Sequence, residues 1–127
     1  MTKIIVVGAG PVGLLLALRL AQAGIDLTIL DKNPEIPRQA KATHYQSPAV
    51  YYLDKAGVVP ACREKANGFN PGSVCWRDLQ MNILGEIGFN AEKSTEVKPL
   101  DMVCLPQQEL GQSVFFFTLV VAPSAFV

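Results

Sequence analysis

Three glycines and one acid near the amino terminus have the types and spacing that suit a phosphate-bearing ligand. The run reads Val7-Gly8-Ala9-Gly10-Pro11-Val12-Gly13, and Asp31 closes the second apolar stretch after it. A glycine at 8 lets the chain turn sharply out of a strand. One at 10 has no side chain to block a diphosphate from the backbone, and one at 13 lets a helix lie close on a sheet. The unpaired N–H groups of a helix start, with the positive end of its dipole, favour an anion there. The dipole contributes only about 0.3–1 kcal/mol at an exposed site. Backbone hydrogen bonds to charged oxygens, at roughly 1.5–3 kcal/mol each, are the larger effect. A carboxylate at Asp31 accepts both hydroxyls of a ribose and repels a 2′-phosphate, which argues against NADP at this place.

These residues need a scaffold, and the flanking sequence supplies one. Ile4-Ile5-Val6-Val7 reads as a strand. Pro11 suits a first helical turn, where its missing N–H has no partner to lose. Ala17 stands one turn beyond Gly13 on the same face, which keeps the contact close. The helix over about 10–23 is apolar nearly all round except at Arg19 and Gln22, so it is covered on most sides. Gly24 ends it. Leu27-Thr28-Ile29-Leu30 does not alternate, as expected of a parallel strand buried on both faces. The order strand, glycine turn, helix, strand, acid is the opening of a dinucleotide-binding α/β fold.

Further along, Pro34 and Pro37 mark a loop. Ser47 and Pro48 read as N-cap and first residue of a helix that stops at Gly57, with Val50, Leu53, Ala56 and Tyr51 or Tyr52 as its apolar stripe. A weaker helix covers about 60–66. Turn signals at Asn67-Gly68 and Asn70-Pro71-Gly72 precede two β-rich runs, 73–77 and 81–89, which read as an antiparallel pair. A polar connection follows at 93–98, and 105–110 opens another helix. The run 114–121 is apolar without a clear period. It reads either as a buried strand completing the sheet or, preferably, as a terminus outside the fold.

The whole chain narrows the classes. At 127 residues it is one domain by length, and half of its residues are hydrophobic, enough for a core. Eleven basic and eleven acidic residues balance, which implies neither a nucleic-acid partner nor an anionic membrane. Cys62, Cys75 and Cys104 are widely spaced, form no C-x-x-C, and stand apart from the lone His44. Metal binding is therefore unsupported, and reduced thiols of a cytoplasmic protein are expected. No secretory leader is evident, and the apolar runs fall short of the roughly 20 residues that span a membrane. His44 and Tyr45 read as surface loop rather than pocket border, and Trp76 as packing.

Taken together, these segments resemble the FAD-dependent aromatic hydroxylases, the flavoprotein monooxygenases related to para-hydroxybenzoate hydroxylase and phenol 2-monooxygenase. The resemblance rests on 6–13 with Ala17, Leu20 and Gly24; on Leu30-Asp31-Lys32; on Pro37-Arg38; on 47–57; on Trp76-Arg77-Asp78; and on Leu105-Pro106-Gln107-Gln108-Glu109-Leu110. It implies a Rossmann-like FAD-binding βαβ unit with a small antiparallel β insertion. Gly8, Gly10, Pro11, Val12 and Gly13 then correspond to the pyrophosphate loop. Asp31 matches the ribose acid, where relatives more often carry glutamate. Lys32 stands where many have an arginine near the adenosine, an exchange that is not neutral if stacking was its role. Arg38 is similar to an arginine approaching the cofactor from the loop after the second strand. Gln107 resembles a glutamine reaching the ribityl chain, with Gln108 an equal candidate by register.

The implied chemistry belongs to the cofactor: NADH or NADPH reduces FAD, and the reduced flavin uses oxygen to hydroxylate an aromatic or similarly electron-rich small molecule. No nucleophile triad is offered or needed. The similarity fades near Ser113, which divides the chain into 1–112, the amino-terminal part of an FAD-binding domain with a β insertion at about 70–98, and 113–127, an atypical apolar tail. Such a pattern is expected of a truncated domain, which would bind FAD weakly at best and turn nothing over alone. A nicotinamide-binding dehydrogenase fragment and a non-catalytic nucleotide-binding remnant are the alternatives.

Overall fold

A computed structural model describes residues 4–36, 41–67, 73–88 and 101–126. The first three elements form the parallel βαβ unit expected from sequence. Strand β1 (Ile4–Val7) and β2 (Leu27–Leu30) pair in register from Ile4 with Leu27 to Val7 with Leu30, and α1 (Pro11–Gln22) connects them. The Gly8 N–H donates to the Leu30 carbonyl at 2.7 Å, which carries the pairing one residue into the turn. Gly8 holds a positive φ of 107°, a conformation that side chains other than hydrogen rarely adopt. Gly13 is required by contact instead. A Cβ there would lie 1.9 Å from the Gly8 carbonyl oxygen, so only glycine lets the helix sit this close to the strand end.

Both glycine stops behave as expected. At the end of α1, the Ile25 N–H donates to the Leu20 carbonyl and the Gly24 N–H to the Ala21 carbonyl, the two bonds of a Schellman cap. Helix α2 (Ser47–Lys55) ends the same way, with Val58 donating to Leu53 and Gly57 to Asp54. Its start differs from expectation by one residue. Gln46 is the N-cap, its carbonyl accepting from Ala49 and Val50, so Ser47 and Pro48 are the first two helical residues. Val50, Leu53 and Ala56 are buried as expected, whereas Tyr51 and Tyr52 stand exposed, edge to face. The two polar breaks in α1 also have a purpose. Arg19 donates to the Lys55 carbonyl at 2.6 Å and Gln22 to the Ala56 carbonyl at 3.0 Å, so α1 caps the carboxyl end of α2.

The chain then runs through α3 (Val59–Lys65) and a separate hairpin, β4 (Ser73–Arg77) with β5 (Ile83–Gly88), before returning in α4 (Gln107–Val121). The returning segment is tied down by a two-residue antiparallel ladder between β3 (His44–Tyr45) and β6 (Val103–Cys104), extended by the Leu105 N–H donating to the Thr43 carbonyl. The core lies between α1 and α4 and under α2 and α3: Leu14, Ala17 and Leu18 meet Val114 and Thr118, with Val50, Val58 and Cys62 also wholly buried. The 114–121 run is therefore not a strand, and it does not stand outside the fold. It is the second half of α4, and beyond it a short 3-10 turn, Pro123–Ala125, leads Phe126 into a parallel bridge with Ile29 of β2.

Two apolar surfaces are left open among the described residues. The edge of β1 away from β2 presents Ile5 and Val7, with Val12 and Leu16 of α1 beside them, around a shallow hollow of about 560 Å³. On the hairpin, Val74, Trp76 and Ile87 share one exposed face, consistent with their pairing. Trp76, expected to pack, touches Gly85 across the ladder and is otherwise half exposed.

Candidate functional site

A cavity of about 710 Å³ opens at the carboxyl end of β2, between the start of α1, the loop after Asp31 and the start of α4. That size falls within the roughly 300–1,000 Å³ usual for small-molecule sites. Four of the residues singled out from sequence line it: Gly10, Pro11, Asp31 and Gln107. Gln108 lines it too, so both register alternatives reach the same space.

Asp31 faces the glycine turn. Its Oδ2 accepts the Ala9 N–H at 2.6 Å, and its Oδ1 accepts the Asn33 N–H at 2.7 Å. These backbone N–H groups, Asn33 first and Ala9 second, hold its carboxyl below the ordinary value. The group is thus a carboxylate at neutral pH. Each of its oxygens keeps lone-pair capacity for a further donor.

The helix start opposite is open to an anion. Gly10 is an extended N-cap without a side-chain hydrogen bond, and Pro11 has no N–H. The Val12 and Gly13 N–H groups lack the carbonyl four residues back that later turns use, whereas Leu14 already bonds Gly10. Val12 thus qualifies through its backbone alone; its side chain is 83% exposed and points to the β1-edge hollow. Gly8 and Gly13 line that hollow rather than the main cavity, and both shape the turn. A Cβ at Gly10 would meet nothing within 4 Å, so open space, not packing, surrounds this position.

Lys32 follows Asp31 as an exposed residue and does not line the cavity. Arg38, with Pro37, lies outside the described residues. Lys41 lines the cavity and was not singled out from sequence. No local signal could have found it, because the β3–β6 ladder brings its loop back against the start of α4. Neither His44 nor Tyr45 lines the cavity. Burial pushes the Cys62 and Cys104 thiols up, which keeps them protonated and unreactive at neutral pH. No cluster of metal-ligating side chains occurs among the described residues, and no described helix is long and apolar enough to cross a membrane.

Comparison with known proteins agrees on the class. The family described as "FAD binding domain" matches residues 1–114. Para-nitrophenol 4-monooxygenase of a Pseudomonas strain is 40% identical over 63 residues, 50% of this chain and 16% of its own. The 6-hydroxy-3-succinoylpyridine 3-monooxygenase HspB of Pseudomonas putida is 36% identical over 75 residues, 59% of this chain and 19% of its own. Among solved structures, p-nitrophenol 4-monooxygenase PnpA of Pseudomonas putida superposes with a TM-score of 0.81 at 22% identity, covering 99% of this chain and 31% of that one. The chain thus spans under a fifth of the length of these curated relatives and about a third of that structure.

Proposed function

The chain belongs to the FAD binding domain family, and on that premise we propose that it is the nucleotide-holding part of a flavin-dependent monooxygenase acting on an aromatic small molecule. The observation that carries the reading is the Asp31 carboxylate turned onto the glycine loop, 2.6 Å from the Ala9 N–H, across one cavity from Gln107. The βαβ unit is then the opening of a Rossmann-like sheet, with Phe126 entering the position of its next strand.

The residues present fit FAD. The gap at Gly10 admits a diphosphate, and the N–H groups of Gly10, Val12 and Gly13 hydrogen-bond its oxygens. Asp31 accepts the hydroxyls of the adenosine ribose. Lys41 adds a positive charge to the wall, and the family resemblance assigns Arg38 a contact with the same cofactor. Gln107, at the first position of α4, offers its amide to the ribityl chain. Bound FAD supplies the redox and oxygen chemistry, with NADH or NADPH as reductant and an aromatic ring as acceptor. The chain itself binds and orients. The names of the relatives, a nitrophenol and a hydroxypyridine monooxygenase, favour a phenol-like substrate.

The test is titration of the chain with FAD, followed by flavin fluorescence, alongside thermal melts with NAD. Saturable flavin binding is expected, without NAD(P)H oxidation by these residues alone. Stabilisation by NAD with no flavin binding overturns the reading in favour of a dehydrogenase fragment.

A further inference from the structure

The wall of the cavity on the side of β2 away from β1 is built by the carboxyl-terminal chain. Phe115 of α4 and Phe126 lie with ring centroids 4.6 Å apart and planes tilted by 53°. Both line the cavity that holds Asp31, and both are half-buried, so each ring keeps some surface toward it. Phe126 is placed there by its bridge to Ile29, two residues before Asp31, on the side of β2 away from β1.

The chemistry of a nucleotide fixes what belongs on that side. Base and diphosphate leave a ribose from opposite ends. If Asp31 grips the ribose and the diphosphate runs to Gly10 at the β1–α1 turn, the base extends the other way. In this cavity the side of β2 away from β1 carries the aromatic pair, and Ile36 and Gln112 line the same cavity. Flat aromatic faces suit a purine, which has a π-face for stacking and an edge for an amide. We propose that Phe115 and Phe126 form the adenine-binding wall of this site, so that the apolar terminus selects the base. This rests on the nucleotide reading of the site given above.

The experiment compares ADP with UDP, which share ribose and diphosphate and differ in the base. Calorimetric titration of the unaltered chain is expected to show tighter binding of ADP. Phe115→Leu and Phe126→Leu keep apolar bulk but remove the stacking face. Each is expected to weaken ADP about tenfold, the lower part of the range for a lost stacked base, and to change UDP far less. A role in packing alone would weaken both nucleotides equally, and that result overturns the proposal, as does unchanged ADP affinity. Should a leucine variant fail to fold, nuclear Overhauser contacts between phenylalanine ring protons and adenine H2 or H8 in the unaltered chain decide. Their presence supports the wall and their absence overturns it. An unaltered chain that binds neither ADP nor FAD overturns this proposal and the functional reading together; binding of ADP without sensitivity to either phenylalanine overturns this proposal alone.

Discussion

Gly10 and Gly13 look alike in sequence and differ in structure, so alanine at each is expected to fail in a different assay. At Gly13 the new Cβ would sit 1.9 Å from the Gly8 carbonyl oxygen and 3.1 Å from its carbon. Carbon and oxygen ordinarily approach no closer than about 3.3 Å. Restoring that distance requires the start of α1 to move more than an ångström away from β1. The atoms in conflict are backbone on one side and a helix on the other, so the strain has little outlet. The cost is expected at the upper end of the ~1–3 kcal/mol typical of overpacking, or above it. For a domain of this length that corresponds to a melting point lower by roughly 10 °C.

At Gly10 the same methyl meets nothing within 4 Å, and the backbone, with φ −72° and ψ 173°, suits any residue. Losing a glycine N-cap costs somewhat, and a less flexible unfolded chain offsets it by about 0.4–1 kcal/mol. Stability is expected to stay within about 1 kcal/mol. On the proposed path of the diphosphate, however, the methyl stands in the way. Losing one charge-assisted hydrogen bond, at about 1.5–3 kcal/mol, weakens FAD or ADP between ten- and a hundredfold. Thermal melts and flavin-fluorescence titrations on the two variants separate the effects. A Gly10→Ala chain that melts and binds FAD like the parent refutes the path of the diphosphate. A Gly13→Ala chain with an unchanged melting point refutes the packing argument.

Asp31→Asn is expected to weaken FAD and ADP by about tenfold, and to alter the response to acid. The Asp31 carboxyl is held below its ordinary value near 3.8 by the Asn33 and Ala9 N–H groups, so its stabilising effect is complete above that value and fades as pH falls through the lowered one. Melts between about pH 5 and pH 2 should fall less steeply for the variant, and parallel slopes would refute the assignment. Val114→Ala, at a wholly buried position between α4 and α1, is expected to cost about 2 kcal/mol in denaturant unfolding. A neutral result would mean that the terminus does not pack as described. Val7→Lys with Leu16→Lys, on the open β1 edge, is expected to lower self-association without changing the melting point. Light scattering over a concentration series checks this, and unchanged association would show that the edge is not the sticky surface.

What was legible from sequence is what is decided within a few residues. The turn at Gly8, the close contact at Gly13 and the Schellman caps at Gly24 and Gly57 each follow from one glycine and its neighbours, and the parallel pairing of β1 with β2 follows from two apolar runs and the helix between them. What was hidden needed distant chain. The β3–β6 ladder has two residues a side and no periodicity to announce it, yet it brings Lys41 to the cavity.

The second half of α4 hides its period for a subtler reason: two of its three buried residues are polar. Of the three buried residues in 113–121, Ser113 and Thr118 are polar and only Val114 is apolar, while Phe116, Leu119, Val120 and Val121 are exposed. Burying the two hydroxyls is tolerable because each donates to the carbonyl one turn back, Ser113 to Glu109 and Thr118 to Val114, so neither is left unpaired. A hydrophobicity pattern read along 113–121 therefore points away from the real inner face. Once Val114 and Thr118 are fixed against α1, helical geometry turns Phe115 toward the Asp31 cavity and leaves Phe116 outside. The buried face that hides the helical period is thus the one that turns an aromatic ring toward the Asp31 cavity.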